Sequence, residues 1–564
     1  MTKNKRNKKR DIVALGLAIA LLIMINYIGS FVFHRFDLTT EKRYTLSDVT
    51  KDLLKNLDDV IYVKVYLEGD FPAGFKRLRN ETKEMLDEFR TYSNNNIEYE
   101  FINPSENPDK KQQNEVYKQL YDKGLQPTNL EVKEESGTTQ QIIFPACLVS
   151  YRGHELPWQL LKTQMGSSPE SQLNNSIQSL EYEFASCIRN LSVVSRPQIG
   201  FLDGHDELDT LAVQDIADAL NEFYSVKRVT INEQLNALKG LDAIIVAKPD
   251  SSFTDKDKFI IDQFIMRGGK ALWLIDPLYT SPDSLRRNGG TLAVPYNLRL
   301  DDMFFKYGVR VNADMIADIQ SSVIPVNVAM RGQPANIQMK PWIFSPLIMP
   351  TGSHPIVKNL DVVKVDFAAS LDTIAVKGIK KTILLQSSKF SKAILSPVRV
   401  DLRMVNMPLD EKRFDNPYRN IAVLLEGEFE SLYKNHLSPK IAKDSAIDFK
   451  ENGKKSKMIV ISDGDMIRND IDYRSRKKLP LGYDKYTNQT YGNKNFILNC
   501  VNYLCDDSGL ISVRARELTL RLLDKKKLKN ERLKWQMINT GLPLLLLVVF
   551  GVVYNIRRKR KYSS

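Results

Sequence analysis

Apolar and polar positions follow three different rhythms along this chain. At each end lies an uncharged apolar run, Ile12 to Phe33 and Met537 to Ile556, each about 20 residues and so long enough to cross a bilayer as a helix. Between them the pattern switches repeatedly between periods of two and 3.6. RFDLTTEKRYTLSDVTKDLLKNL reads as a membrane-proximal turn followed by a helix capped near Ser47. VIYVKVYLE alternates as a strand, FKRLRNETKEMLDEFRTY has helical period, and IEYEFINP returns to strand, which predicts a β-α-β unit. The stretch from EVKEESG to HELPWQLL carries turn signals at Ser136-Gly137 and Arg152-Gly153 and predicts a β-meander. A long helix, LNNSIQSLEYEFASCIRNL, closes a first α+β domain spanning 35–191.

From residue 196 the rhythm changes. IGFLDG, VKRVTI, LDAIIVAKPD and KALWLIDP read as strands, with LAVQDIADALNEF and DKDKFIIDQFIMRGG as helices among them. Near-continuous apolar strands alternating with amphipathic helices predict a parallel sheet covered on both faces. This first part of an α/β domain spans 196–290. An irregular, β-rich stretch follows over 291–450 and reads as an insertion. KMIVISDGD and NKNFILNCVNYLCDD then resume the sheet domain over 457–511. A basic juxtamembrane helix over 512–536 leads into the second apolar span, 537–556.

Charge sets the expected orientation. The tail 1–11 and the tail 557–564, with Arg557, Arg558, Lys559, Arg560 and Lys561, are both strongly basic, so both ends are expected in the cytoplasm and the body on the other side of the membrane. Trp535 and the basic cluster after Ile556 suit the interfacial anchors of a span. The first run is too long for the apolar core of a signal peptide, and FVFHRFD has no small-x-small cleavage site, which favours an uncleaved anchor. Residues 514–534 oppose this orientation with nine positive charges against three negative, but long translocated domains move largely regardless of charge.

The net charge of +13 is concentrated in three segments carrying +5, +6 and +5, so the body between them is near −3. Nucleic acid is therefore not an expected partner. Cys147, Cys187, Cys500 and Cys505 show neither CxxC nor zinc spacing and read as buried free thiols.

Candidate chemistry lies where the strands end, because open α/β sheets bind ligands beyond the carboxyl ends of their strands. Asp203, His205, Asp206 and Glu207 follow the first strand, Asp276 follows KALWLI, and Asp463 and Asp465 follow KMIVIS. Converging carboxylates could hold a divalent cation. Asp and Gly are equally the usual turn and cap residues at such ends, and the reading that prevails is an inert turn with His205 at the surface. GxSxG, HExxH, GxGxxG and GxxxxGK[ST] are all absent from the sequence. No catalytic residue, cofactor or metal is expected.

A basic tail and one span leading into RFDLTTEKRYTLS, then PQIGFLDGHDE, LDAIIVAKPD, MRGGKALWLIDP, KMIVISDGDM, GNKNFILNCVNYL and a terminal span together resemble the GldG family, a gliding-motility-associated auxiliary component of an ABC transporter in Bacteroidota. The resemblance implies an amidotransferase-like α/β domain in the periplasm of a protein anchored in the bacterial inner membrane, with a separate polytopic permease and a separate ATPase as partners. Amidotransferases carry a nucleophilic cysteine at a strand-to-helix elbow, and WLIDPLYTSPD offers none. The expectation is an accessory subunit, open to self-association, that binds or scaffolds rather than catalyses. Two other readings stay open: a membrane-anchored hydrolase or metal-dependent enzyme using the acidic edge, and a solute-binding protein.

Overall fold

The computed structural model describes residues 12–24, 26, 45–134, 137–162, 168–192, 196–280, 285, 287, 289–329, 333–445, 447–472, 477–506, 509–515 and 525–562. The chain divides into two units, Met1–Arg43 with Glu517–Ser564, and Tyr44–Arg516.

In the first unit, Ile12–Met24 forms an apolar helix, and the rest of the expected first span, apart from residue 26, lies outside the described residues, as does the tail 1–11. Lys525–Tyr562 is one helix of 38 residues. Its segment Glu531–Arg560 is long and apolar enough to cross a membrane. The expected basic helix 512–536 is described only at its two ends, with residues 516–524 outside the described set.

The second unit begins with helix α1 (Asp48–Lys55), capped by Ser47, whose hydroxyl accepts from the Thr50 amide at 3.2 Å. Strands β1 (Ile61–Val65) and β2 (Ile97–Phe101) run parallel, joined by helix α2 (Ala73–Tyr92), as the β-α-β pattern requires. Helix α3 (Lys110–Asp122) leads to β3 (Thr128–Glu134) and β4 (Gly137–Ile143), which among the described residues form a two-stranded sheet of their own. β5 (Ala146–Tyr151) and β6 (His154–Gln159) complete a four-stranded sheet in the order β2-β1-β5-β6. The expected meander is thus two separate hairpins. In the second, Arg152 at φ 48° and Gly153 at φ 81° supply the two left-handed positions of a tight turn. Helix α4 (Pro169–Ser192) packs on this layer through Ile177, Leu180, Phe184 and Ile188.

The central sheet has nine strands. β7 (Gln198–Asp203), β8 (Ser225–Thr230), β9 (Ala243–Ala247) and β10 (Lys270–Leu274) are parallel, and β15 (Asn452–Ile461) joins them. In space they run β8-β7-β9-β10-β15, so numbering these five along the chain gives the order 2-1-3-4-5 of flavodoxin-like doubly wound sheets. Residues 291–450, read in the sequence as an insertion, also contribute to this sheet. β14 (Asn420–Glu430) lies antiparallel on β15 and carries β13 (Ile379–Gln386), while β12 (Leu371–Thr373) and β11 (Val309–Val311) extend the edge. The remainder of that stretch builds short antiparallel pairs, including Ser321–Asn327 with Ile337–Ile348.

Two-sided burial explains the apolar strands. Every residue of β9 is buried. Ala243, Ile245 and Ala247 pack on one face with α5 (Gln214–Asn221) and α8 (Asn493–Cys505), whereas Ile244 and Val246 pack on the other with α6 (Asp255–Met266) and α7 (Asp301–Tyr307). All four cysteines are buried thiols outside any disulfide.

Candidate functional site

The parallel strands bring the candidate residues to one edge of the sheet, where they divide into three separate clusters. Asp203, the last residue of β7, is held by Arg228 of the neighbouring strand through two bonds of 2.9 and 3.0 Å. Those bonds keep its carboxyl below the usual range. The second Arg228 nitrogen also reaches the Leu208 carbonyl at 2.9 Å, so this pair fixes the turn after β7.

His205 is not at the surface. It is 5% exposed, stacked on Phe253 with ring centroids 3.7 Å apart. Its Nδ1 lies 3.2 Å from Glu207 Oε1 and its Nε2 3.3 Å from Asp257 Oδ2. The reason lies in the backbone: Gly204 at φ 119° and Asp206 at φ 55° reverse the chain, and the His205 amide donates to Glu207 Oε2 at 2.7 Å. The His205 carbonyl then accepts from the amides of Asp250 and Ser251 at 2.9 and 3.0 Å, and the Ser251 hydroxyl donates to Asp206. Burial alone would lower the histidine's pKa, but Glu207 and Asp257 outweigh it and raise it above its ordinary value. The ring therefore ties the turn after β7 to the loop after β9 and to the first turn of α6.

Asp276, Asp463 and Asp465 do come together, around a residue the sequence reading missed. Lys248, just after β9, places Nζ 2.9 Å from Asp276 Oδ2 and 2.5 Å from Asp465 Oδ2. Its φ of 54° is a left-handed conformation that non-glycine residues seldom take. Glycine is required opposite, because a Cβ at Gly464 would stand 2.7 Å from Lys248 Cγ and 3.1 Å from Asp276 Cγ. Three of the remaining carboxylate oxygens take backbone donors, Gly464 N to Asp276 Oδ1 at 2.5 Å, Asp465 N to Asp463 Oδ1 and Asp366 N to Asp463 Oδ2, both at 2.9 Å, and Asp465 Oδ1 takes Arg468 Nη1 at 3.4 Å. Burial pushes Asp463 well up, with the neighbouring carboxylates adding to it, and burial raises Asp276 as well. Burial alone would depress Lys248, but Asp276 and Asp465 raise it, so its ammonium persists as the resident cation.

This arrangement neutralises and fastens strand ends. Among the described residues no three His, Cys, Asp or Glu side chains are disposed to hold a metal ion. At the switch point between β7 and β9, where sheets of this order admit ligands, the loops after the two strands are joined by the His205 carbonyl and by the stack of His205 on Phe253. Asp257 had a legible signal, since Thr254 caps α6 and accepts from the Asp257 amide at 3.1 Å. The pairing of Lys248 across 217 positions had none.

Of the expected membrane anchors, Trp535 is 53% exposed and donates Nε1 to Glu531 at 3.0 Å, and Arg557, Arg558, Lys559, Arg560 and Lys561 occupy the last turns of the terminal helix.

With this geometry in place, comparison with known proteins is informative. Residues 196–500, more than half of the chain and the whole span from β7 through most of α8, match the auxiliary family described as an ABC-type uncharacterized transport system. The chain belongs to this family. Membership implies association with components of an ABC transport system. A second family model, a domain of unknown function, matches residues 40–150, which hold the first α+β layer up to β5. An uncharacterized protein of Borreliella burgdorferi is 21% identical over 572 residues, covering 99% of each chain. Among solved structures, the mmIFT52 N-terminal domain is 12% identical and covers 54% of this chain and 96% of its own, with a TM-score of 0.31.

Proposed function

We propose that the chain is a membrane-anchored accessory subunit of an ABC transport complex, with its body outside the cytoplasm, and that it binds or scaffolds rather than catalyses. The observation that carries this reading is the state of the sheet's carboxyl edge within a transport family. Histidine, lysine and the carboxylates a hydrolase or metal enzyme would use are all bonded to one another or to the backbone. The chain also lacks a P-loop, so ATP hydrolysis must come from another subunit. The 2-1-3-4-5 strand order supports the amidotransferase-like reading of the domain, and the resemblance to GldG supports a role in gliding motility.

Purification in mild detergent tests the proposal. The full chain should bring down a polytopic permease and an ATPase, and a variant with both terminal apolar segments replaced by unrelated apolar helices should lose them. Recovery of neither partner with the intact chain overturns the proposal. Retention of both by the variant moves the contact to the body.

A further inference from the structure

Beside Asp463 the carboxyl edge opens into a pocket of about 270 Å³. Its apolar floor is made by Trp342 and Phe367, both buried, with Phe344 behind them at ring-centroid distances of 5.2 and 6.3 Å. Phe367 has φ 57°, a strained conformation for an aromatic residue of the kind that gathers at ligand clamps, and its amide N–H donates to the Phe344 carbonyl at 2.8 Å. Above the floor, Lys364 Nζ sits 3.6 Å from Asp366 Oδ2 and 3.4 Å from Asp484 Oδ2. A second pair, Lys485 and Asp470 at 3.3 Å, stands at the rim. The Asp366 amide ties this pocket to Asp463 and so to the sheet edge.

We propose that this pocket binds a free amino acid with a large apolar side chain, its ammonium meeting Asp366 and Asp484 and its carboxylate meeting Lys364. An apolar floor with a few convergent polar groups at the carboxyl end of an α/β sheet is the usual form of a small-molecule site. The charges select the class. Each lysine at the pocket is already paired, so an anion alone would draw Lys364 from acids that keep only neutral donors, Ser345 on Asp366 and Ser322 with the Tyr486 amide on Asp484, and leave their charge unneutralised away from water. A zwitterion exchanges one set of pairs for another and leaves none. The aromatic floor takes the side chain. The inference goes beyond the accessory-subunit reading and stands whether or not an ATPase co-purifies.

Calorimetric titration of the full-length chain in detergent tests it with four probes: phenylalanine, 3-phenylpropionate, which lacks the ammonium, 2-phenylethylamine, which lacks the carboxylate, and glycine, which lacks the side chain. Phenylalanine should bind, and each of the others should bind about tenfold or more weakly, as expected for loss of a charged hydrogen bond or of apolar contact. Lys364→Met and Asp484→Asn should each weaken phenylalanine by about tenfold or more, and the rim variants Asp470→Asn and Lys485→Met, which leave the inner pair intact, should weaken it less. Equal binding of 3-phenylpropionate or 2-phenylethylamine overturns the zwitterion assignment. Absence of phenylalanine binding at millimolar concentration overturns the site, as does binding unchanged by folded inner-pair and rim variants.

Discussion

A histidine wedged between two carboxylates gains its ion-pair contribution to stability only while it carries a proton. His205 is raised above its ordinary value of 6.5 by Glu207 and Asp257 in spite of burial. Its folded pKa therefore exceeds its unfolded one, and the contribution is fully present below about pH 6.5 and lost as pH rises through the folded value. Replacing it leaves two buried carboxylates facing an empty space where the ring stacked on Phe253. His205→Ala should cost about 2–4 kcal/mol at about pH 6, measured by denaturant unfolding, and the gap from wild type should narrow by about pH 9. A substitution that changes stability by under about 0.5 kcal/mol, the figure for a surface turn, would contradict the clamp. The sequence reading placed this residue at the surface because nothing within the turn announces Asp257, which lies 52 positions away.

Local elements were legible where the signal is local. The Ser47 cap, the Arg152-Gly153 turn, the parallel β1-β2 pair and the succession of apolar strands all follow from side-chain period and turn chemistry within a short window. What was not legible is where elements join across the chain. β14 carries an apolar run, IAVLL, that suits any buried strand, and only tertiary pairing with β15 places it antiparallel in the central sheet. The chain after α8 is a second case. Leu510, Ile511 and Val513 are buried in the core of the first α+β layer, alongside Leu54 and Phe184, rather than with the sheet from which they come. Segment 510–513 thus acts as a strap on that layer. Leu510→Ala should cost about 2–5 kcal/mol in chemical unfolding, as for other fully buried leucines, whereas Leu292→Ala, at a leucine 55% exposed, should stay within about 0.5 kcal/mol. Similar effects for the two would contradict the strap.

At the scale of the whole chain the decisive quantity is charge on either side of the terminal helix. Its 38 residues extend about 57 Å at 1.5 Å per residue, well beyond the roughly 30 Å of a bilayer's hydrocarbon. The surplus is basic at both ends, with Lys525 to Lys534 before the apolar run and Arg557 to Lys561 after it. Taken alone, these charges oppose each other. The five positives after Ile556 stand together without an acidic residue, while those before Met537 are interspersed with Glu531 and follow a body of several hundred residues near neutrality. Long translocated segments escape the rule that short basic flanks obey, so the basic flanks outside the two apolar runs should set the orientation, and both are expected in the cytoplasm. A reporter active only outside the cytoplasm should therefore work when fused after Asp250 and fail when fused after Ser564. Activity of the Ser564 fusion would mean that the final helix does not return the chain to the cytoplasm, and the anchors would then have to be reassigned from the N-terminal end.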